Sequence, residues 1–272
     1  MAGKTGIIMQ DFSPRKIGAV NIIGLRTLVE KEVLRFLNVF SQTVIAPVMT
    51  TLLFYAVFAL AFGAIAKRVG DVPYLEFLAP GLLMMTMVQN AFANTSSSIV
   101  IAKVQGNIVD ILMPPISPAE FYTGYVLGGI LRGLCVGGAT ALVLYMIVGV
   151  EIHSAGHIFL FALLGTMFLS SLGLAGGIWS ERFDHISAVT NFLITPMTFL
   201  SGTFYSIGQL PEFWQKLALY NPFFYMIDGF RYGFIGQADG NVQAGIVFLL
   251  VLNFLMGALC LRMIRSGYKI KS

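Results

Sequence analysis

Residues 42–66 read QTVIAPVMTTLLFYAVFALAFGAIA, 25 residues without a charged side chain. A helix needs about 20 mostly apolar residues to cross a bilayer. Inside lipid its backbone has to satisfy its own hydrogen bonds, which a helix does. The stretch therefore reads as a membrane span, and the rest of the chain is read outward from it. Further apolar runs lie at about 77–103, 120–149, 157–180, 186–205 and 243–265. The expected fold is an all-α polytopic membrane protein with six transmembrane helices.

Composition agrees with that reading. Of 272 residues, 57% are hydrophobic and 11% are charged, against roughly 25% charged in a soluble domain. So few charges cannot coat a surface facing water. The 29 glycines suit helices that pack closely in lipid. The net charge of +4 gathers at the two ends, so it reports orientation rather than a nucleic-acid partner. Lys4, Arg15, Lys16, Arg26, Lys31 and Arg35 precede the first span, and Arg262, Arg265, Lys269 and Lys271 close the chain. An even number of spans puts both ends on one side, and the positive-inside rule makes that side the cytoplasm. The loop 151–157 carries no Lys or Arg, whereas Lys67 and Arg68, offset by Asp71 and Glu76, are a mild exception. Cys135 and Cys260 sit inside apolar runs with no CxxC or Cys/His cluster, so neither a disulfide nor a metal site is expected. No cleavable signal is visible, and the first span is expected to direct insertion.

Residues 1–41 divide from the membrane domain 42–272. Within 16–40, Ile22, Leu25, Val29, Val33, Phe36 and Phe40 recur at helical spacing. Arg26, Glu30, Lys31 and Arg35 lie mostly elsewhere, and Glu32 interrupts the edge. This is an amphipathic helix lying along the inner membrane face, either as an anchor alone or also as contact with a partner. Between the second and third spans, Pro114, Pro115 and Pro118 forbid one long helix. The residues before them, Gly106 to Met113, form either an ordinary connection or a short helical knob carrying Asp110. The segment 206–240 is too polar for a span pair and too aromatic for a solvated loop. Phe213, Trp214, Tyr220, Phe223, Phe224 and Tyr225 crowd there, Pro211 suits a first helical turn, and Asn221-Pro222 marks a break. Two short helices dipping in from the outer face are expected.

Ionisable and polar groups inside spans are the candidate functional residues. Arg132 lies in the third span, where it either snorkels or pairs with an oxygen. Glu181, Arg182, Asp184 and His185 form a charged turn or a subunit contact. In the second span Thr86, Gln89, Asn90, Asn94, Ser96, Ser97 and Ser98 are either glue between helices or the lining of a path. Gly129, Gly133 and Gly137, with Gly173 and Gly177, make small-xxx-small steps that serve packing within or between chains. Pro47, Pro80 and Pro196 should kink their spans. No catalytic motif is present. Gly3-Lys4-Thr5 lacks the rest of a phosphate loop and is no nucleotide site.

Taken together, these features resemble a type-2 ABC transporter permease, close to bacterial inner-membrane permeases encoded beside a small ATPase. Phe77-Leu78-Ala79-Pro80-Gly81-Leu82 resembles the family's entry to its second span. The run 107–115, NIVDILMPP, resembles its coupling segment, and 195–205, TPMTFLSGTFY, its signature before the outer element. Asn221-Pro222 and Asp228-Gly229-Phe230-Arg231 resemble the family's segment after that signature. The resemblance implies a non-enzymatic membrane subunit of an exporter, working as a homodimer with two ATPase subunits that hold ATP and Mg2+. It implies a multi-pass protein of the bacterial inner membrane with both termini cytoplasmic. It makes about 105–116 a coupling helix, with Gly106, Asn107, Asp110, Leu112, Pro114 and Pro115 against the ATPase. The interface helix would present Arg26, Glu30, Lys31 and Arg35 there, and 206–240 would be a re-entrant pair before the last span. Gln89, Asn90, Asn94, Ser97, Phe204 and Tyr205 are candidates for the path of a lipid-like, glycan-linked or drug-like amphiphile. The alternative is an ion-coupled secondary transporter, which would want several buried carboxylates or broken midplane helices. An intramembrane enzyme is disfavoured, because His153, His157 and His185 do not share one depth.

Overall fold

The computed structural model describes residues 18, 20–62, 68–70, 72–149 and 151–269. Lys4, Arg15, Lys16, Lys67, Asp71, Lys271 and the Gly3-Lys4-Thr5 run lie outside the described residues. The described residues are almost wholly helical. Helix α1 (Ile22–Leu37) leads through a wide π turn, Ser41–Ile45, into α2 (Ala46–Phe62). A two-residue hairpin, Arg68–Val69 against Val72–Pro73, precedes α3 (Tyr74–Val104). Then come α4 (Ile108–Leu112), α5 (Pro118–Val148) and α6 (Ala155–Trp179). Helix α7 (Phe183–Val189) passes through a second π turn, Thr190–Ile194, into α8 (Thr195–Phe199). The chain ends with α9 (Glu212–Ala218), α10 (Pro222–Ile235) and α11 (Val242–Ser266).

Four of these helical runs are long and apolar enough to cross a membrane: Ser41–Phe62, Pro118–Val148, Ala155–Trp179 and Val242–Ser266. Helix α3 has the length, at 31 residues, but its polar centre sets it apart. The run from α7 to α8 is shorter than the 186–205 span expected from sequence at its far end, because helix stops at Phe199. Both π turns sit just before a proline, Pro47 or Pro196. Proline cannot donate to the carbonyl one turn back, so a widened turn takes up the mismatch.

Helix α3 is the axle. It packs most extensively on α6 and α5, and also meets α10 and α2. Its buried residues run through every turn, from Tyr74 to Ala102. The glycine steps are spent within the chain. Gly129 and Gly133 of α5 face Thr95, Ala91 and Met87 of α3, and also Ser170 and Thr166 of α6. Gly173 and Gly177 of α6 abut the Phe92 and Ser96 carbonyls of α3. Helices that approach backbone to backbone need these positions bare. By contrast α2 and α11 present apolar side chains outward. Leu60 is 82% and Phe254 75% exposed, a surface suited to hydrocarbon.

The two ends of the described chain meet at one end of the bundle. Asn21 touches Pro115 and Glu120 beside α4, and Lys269 pairs with Glu181 after α6. The other end carries the hairpin, α9 and α10. The glycine contacts yield a direct prediction. A Cβ at Gly173 would overlap Thr95 and the Phe92 carbonyl, whereas one at Gly138 meets nothing. Gly173→Leu is expected to cost about 1–3 kcal/mol and to lower the midpoint of thermal unfolding in detergent. Gly138→Leu should leave stability within about 0.5 kcal/mol of wild type and the midpoint nearly unmoved.

Candidate functional site

The site grows from the docking of α1. Asn21 caps α1, accepting from the Gly24 amide at 2.9 Å. The helix then lies along α5, where Gly124 and Gly128 leave room for Leu28 and Glu32. The packed stripe is Leu28, Glu32 and Phe36. This corrects the sequence expectation at Glu32. Ile22 is 71% and Phe40 44% exposed, and Glu32, read as an interruption at the edge, is the fully buried centre of the contact.

A buried carboxylate is tolerated only with several donors around it. Glu32 has them. Ser98 of α3 donates to Oε1 at 2.6 Å, Arg35 reaches Oε2 at 3.2 Å, and Lys31 stands 3.5 Å from Oε1. Arg35 in turn donates to the Asn94 carbonyl at 2.7 Å and to its side-chain oxygen at 2.9 Å, with Ser97 at 3.4 Å. So Asn94 and Ser97, read as either glue between helices or the lining of a path, hold the interface helix through Arg35, which was expected to face a partner. Lys31 also approaches the Tyr125 hydroxyl. Arg26 and Glu30 pair with each other at 2.6 Å on the exposed face.

One turn up α3, Asn90 accepts from Arg132 of α5 at 3.1 Å. Asn90, Gln89 and Thr86 line a cavity of about 330 Å³ between α2 and α3, together with Gln42, Thr50 and Thr51. Gln89 also donates to Thr198 of α8 at 3.4 Å. The polar stripe of α3 is thus continuous from this cavity to the α1 clamp. Phe204 and Tyr205 lie apart from it. Phe204 is buried between Phe58 and Phe199, and its carbonyl accepts from Tyr74. Tyr205 donates to the Phe199 carbonyl at 3.3 Å. Both shape the far end of the bundle.

At the other end α4 stands out as a knob. Gly106, with φ of 75°, turns the chain out of α3, and Asn107 precedes the first turn of α4. Ile108 is buried, while Val109, Asp110, Leu112, Met113, Pro114 and Pro115 are exposed. Ser117 and Glu120 then form a capping box that starts α5. The Glu120 carboxylate does double duty: one oxygen accepts from the Ser117 amide at 2.7 Å, the other from the Asn21 amide. Asn21 also donates to the Pro115 carbonyl at 3.2 Å. The knob, α1 and α5 therefore share one junction. Across from it, Lys103 donates to the Ile178 and Ser180 carbonyls and closes the end of α6. The charged turn holds Glu181 against Lys269 at 2.8 Å. That hydrogen bond keeps the Glu181 carboxyl below the usual carboxylate range. The Glu181 amide lies 3.4 Å from the His185 ring, and Arg182 caps α7 ahead of Asp184.

The far end has its own polar anchor. Arg231 of α10 is 2% exposed; it donates to the Gly202 carbonyl at 2.7 Å and lies over the Phe77 ring. Asp228 accepts from the Asp239 and Gly240 amides at 2.8 and 2.9 Å. Pro222 takes the first position of α10 behind the Asn221 cap, whereas Pro211 falls on the cap of α9 rather than in its first turn. Sequence reasoning passed over Glu32, Glu120 and Arg231 as partners. The signal available for Glu32 was its place as the one acidic residue on an apolar helical stripe.

Long apolar helices are thus built round a polar central helix, with an exposed knob and an outer helix docked through a buried carboxylate. The family of ABC-2 type transporters matches residues 24–235. The chain belongs to that family and is a membrane-embedded transport permease. It is 37% identical over 253 residues to the inner membrane transport permease YadH of Escherichia coli (strain K12), covering 92% of this chain and 98% of that protein. It is also similar to nodulation protein J of Rhizobium leguminosarum bv. viciae, with 28% identity over 213 residues, 74% of this chain and 79% of that one.

The clamp predicts a large stability effect. Glu32→Ala leaves Arg35 and Ser98 facing no carboxylate, and removing one member of a buried pair costs about 3–5 kcal/mol. Thermal unfolding in detergent should show a marked fall for Glu32→Ala and a smaller one for Glu32→Gln. An unchanged midpoint in the alanine variant would refute the clamp.

Proposed function

We propose that this chain is the permease subunit of an ATP-driven ABC exporter of the bacterial inner membrane. In this reading α3 and the run from α7 to α8 complete six crossings with the four apolar spans. Both termini face the cytoplasm, and α9 with α10 forms an outer re-entrant pair. Two copies of the chain pair with two ATPase subunits, which bind ATP and Mg2+; this chain binds neither. The cargo is an amphiphile: lipid-like, glycan-linked or drug-like.

One observation carries the coupling role. The knob projects an exposed apolar tip of Val109, Leu112 and Met113 from between the two longest helices, and it is tied to α1 through Asn21, Pro115 and Glu120. An ATPase surface that moves this tip moves the ends of α3 and α5 and the start of α1 together. Packed elements with discrete arrangements convert such a push into a change of access. The ion-coupled alternative draws less support. The buried carboxylates Glu32, Glu120 and Asp228 are each engaged by two or more donors, which suits structural anchors better than carriers of protons.

The test is ATP hydrolysis by a candidate ABC ATPase co-purified with this chain in lipid. Asp110→Lys combined with Leu112→Glu should abolish most of the permease-dependent activity, roughly tenfold or more, while leaving the chain folded, since both side chains are exposed. Full activity in that variant would overturn the assignment of the knob. Failure of the chain to bind any ABC ATPase would overturn the ABC reading.

A further inference from the structure

The polar stripe of α3 carries more positive charge than the protein balances. Arg35 and Arg132 converge on it, Lys31 stands beside Glu32 on α1, and Glu32 is the one carboxylate in contact with these three cations among the described residues. Arg132 reaches Asn90 and Arg35 reaches Asn94. Those asparagines are one helical turn apart, so the two guanidinium groups contact neighbouring turns of α3. Each keeps a buried Nε atom without an acceptor among the described residues. Two like charges on neighbouring turns in a partly desolvated setting are unfavourable. An anion between them removes that penalty, and guanidinium groups meet phosphate or carboxylate oxygens in bidentate geometry.

The surroundings indicate how such an anion would arrive. Asn90 joins Arg132 to the cavity between α2 and α3, whose remaining walls include Gln42, Thr51 and Gln89. Beside that cavity α2 turns Met49 and Leu53 outward, 60% and 66% exposed. A polar notch under an apolar rim suits a molecule with an anionic head and a hydrocarbon tail.

We infer that Arg35 and Arg132 form a binding site for the anionic, phosphate-class headgroup of an amphiphile, entering between α2 and α3 from the leaflet on the α1 side. The inference rests on the permease reading and narrows its cargo. Arg132 is the sharper probe, because Arg35 also holds α1 in place and its loss disturbs the fold.

The test uses the full chain in phosphatidylcholine nanodiscs without any ATPase. Binding is read from fluorescent phosphatidic acid and from a phosphatidylcholine probe with the same chains. Wild type should prefer the anionic probe. Arg132→Gln should weaken that probe about tenfold without changing the zwitterionic one, and Arg132→Lys should keep part of the preference. Glu32→Gln should tighten anionic binding, because it removes the opposing carboxylate; a structural role alone would not give this opposite sign. Competition by millimolar inorganic phosphate would show that the site also takes a free anion. Arg132-dependent binding without such competition would restrict it to a lipid headgroup. Equal binding of phosphatidic acid by wild type and Arg132→Gln, or equal loss for both probes, overturns the site. Because no ATPase is present, that failure would leave the coupling role of the knob untouched.

Discussion

A carboxylate buried between helices in a membrane protein has to be matched by donors. Isolated, its burial costs several kcal/mol. In this chain Glu32 meets that constraint with Lys31 and Arg35 from its own helix and with Ser98 and Asn94 from α3. Much of the architecture depends on this match. Helix α1 can reach α3 only because α5 is bare at Gly124 and Gly128. Helix α3 can present hydroxyls and amides at mid-length only because α5 and α6 enclose it, with their own glycines admitting it. The polarity that keeps α3 from resembling an ordinary apolar span is the polarity that fixes α1.

This arrangement has a mechanical consequence. Helix α1 is held at two points, the Glu32 cluster along its length and the Asn21–Glu120 junction at its start. The same junction fixes the end of the knob through the Pro115 carbonyl. A surface helix fastened by lipid alone could slide without effect on the core. One fastened to α3, α5 and the knob moves with them, which is what transmission from a cytoplasmic motor to a membrane path would require.

Much of the fold was legible because its causes are local. Apolar runs such as 42–66 need lipid whatever they pack against, and Pro114, Pro115 and Pro118 interrupt helix wherever they fall. The Asn221-Pro222 break likewise needs no tertiary knowledge. The site was less legible because its partners are distant in sequence. Periodicity counts apolar residues, so it scored Glu32 as a flaw, although the hydroxyl of Ser98 lies 66 positions away. For Asn94 and Ser97 the sequence left open whether they join helices or line a path, because their polarity was visible but their partner Arg35 was assigned elsewhere. The glycine steps announced close packing, but their direction depended on which helix lay opposite. Phe204 and Tyr205 belonged to a recognisable segment, yet stacking with Phe58 and Phe199 placed them away from the polar stripe.

Helix α1 is fastened to the folded core through Glu32 rather than resting as a raft on the membrane surface. Hydrogen–deuterium exchange on the full chain in detergent tests it most directly. Amides of α1 around Glu32 are expected to exchange in the same slow class as those at the start of α5, while the exposed helix α9 exchanges quickly. Exchange of α1 as fast as α9 would contradict it.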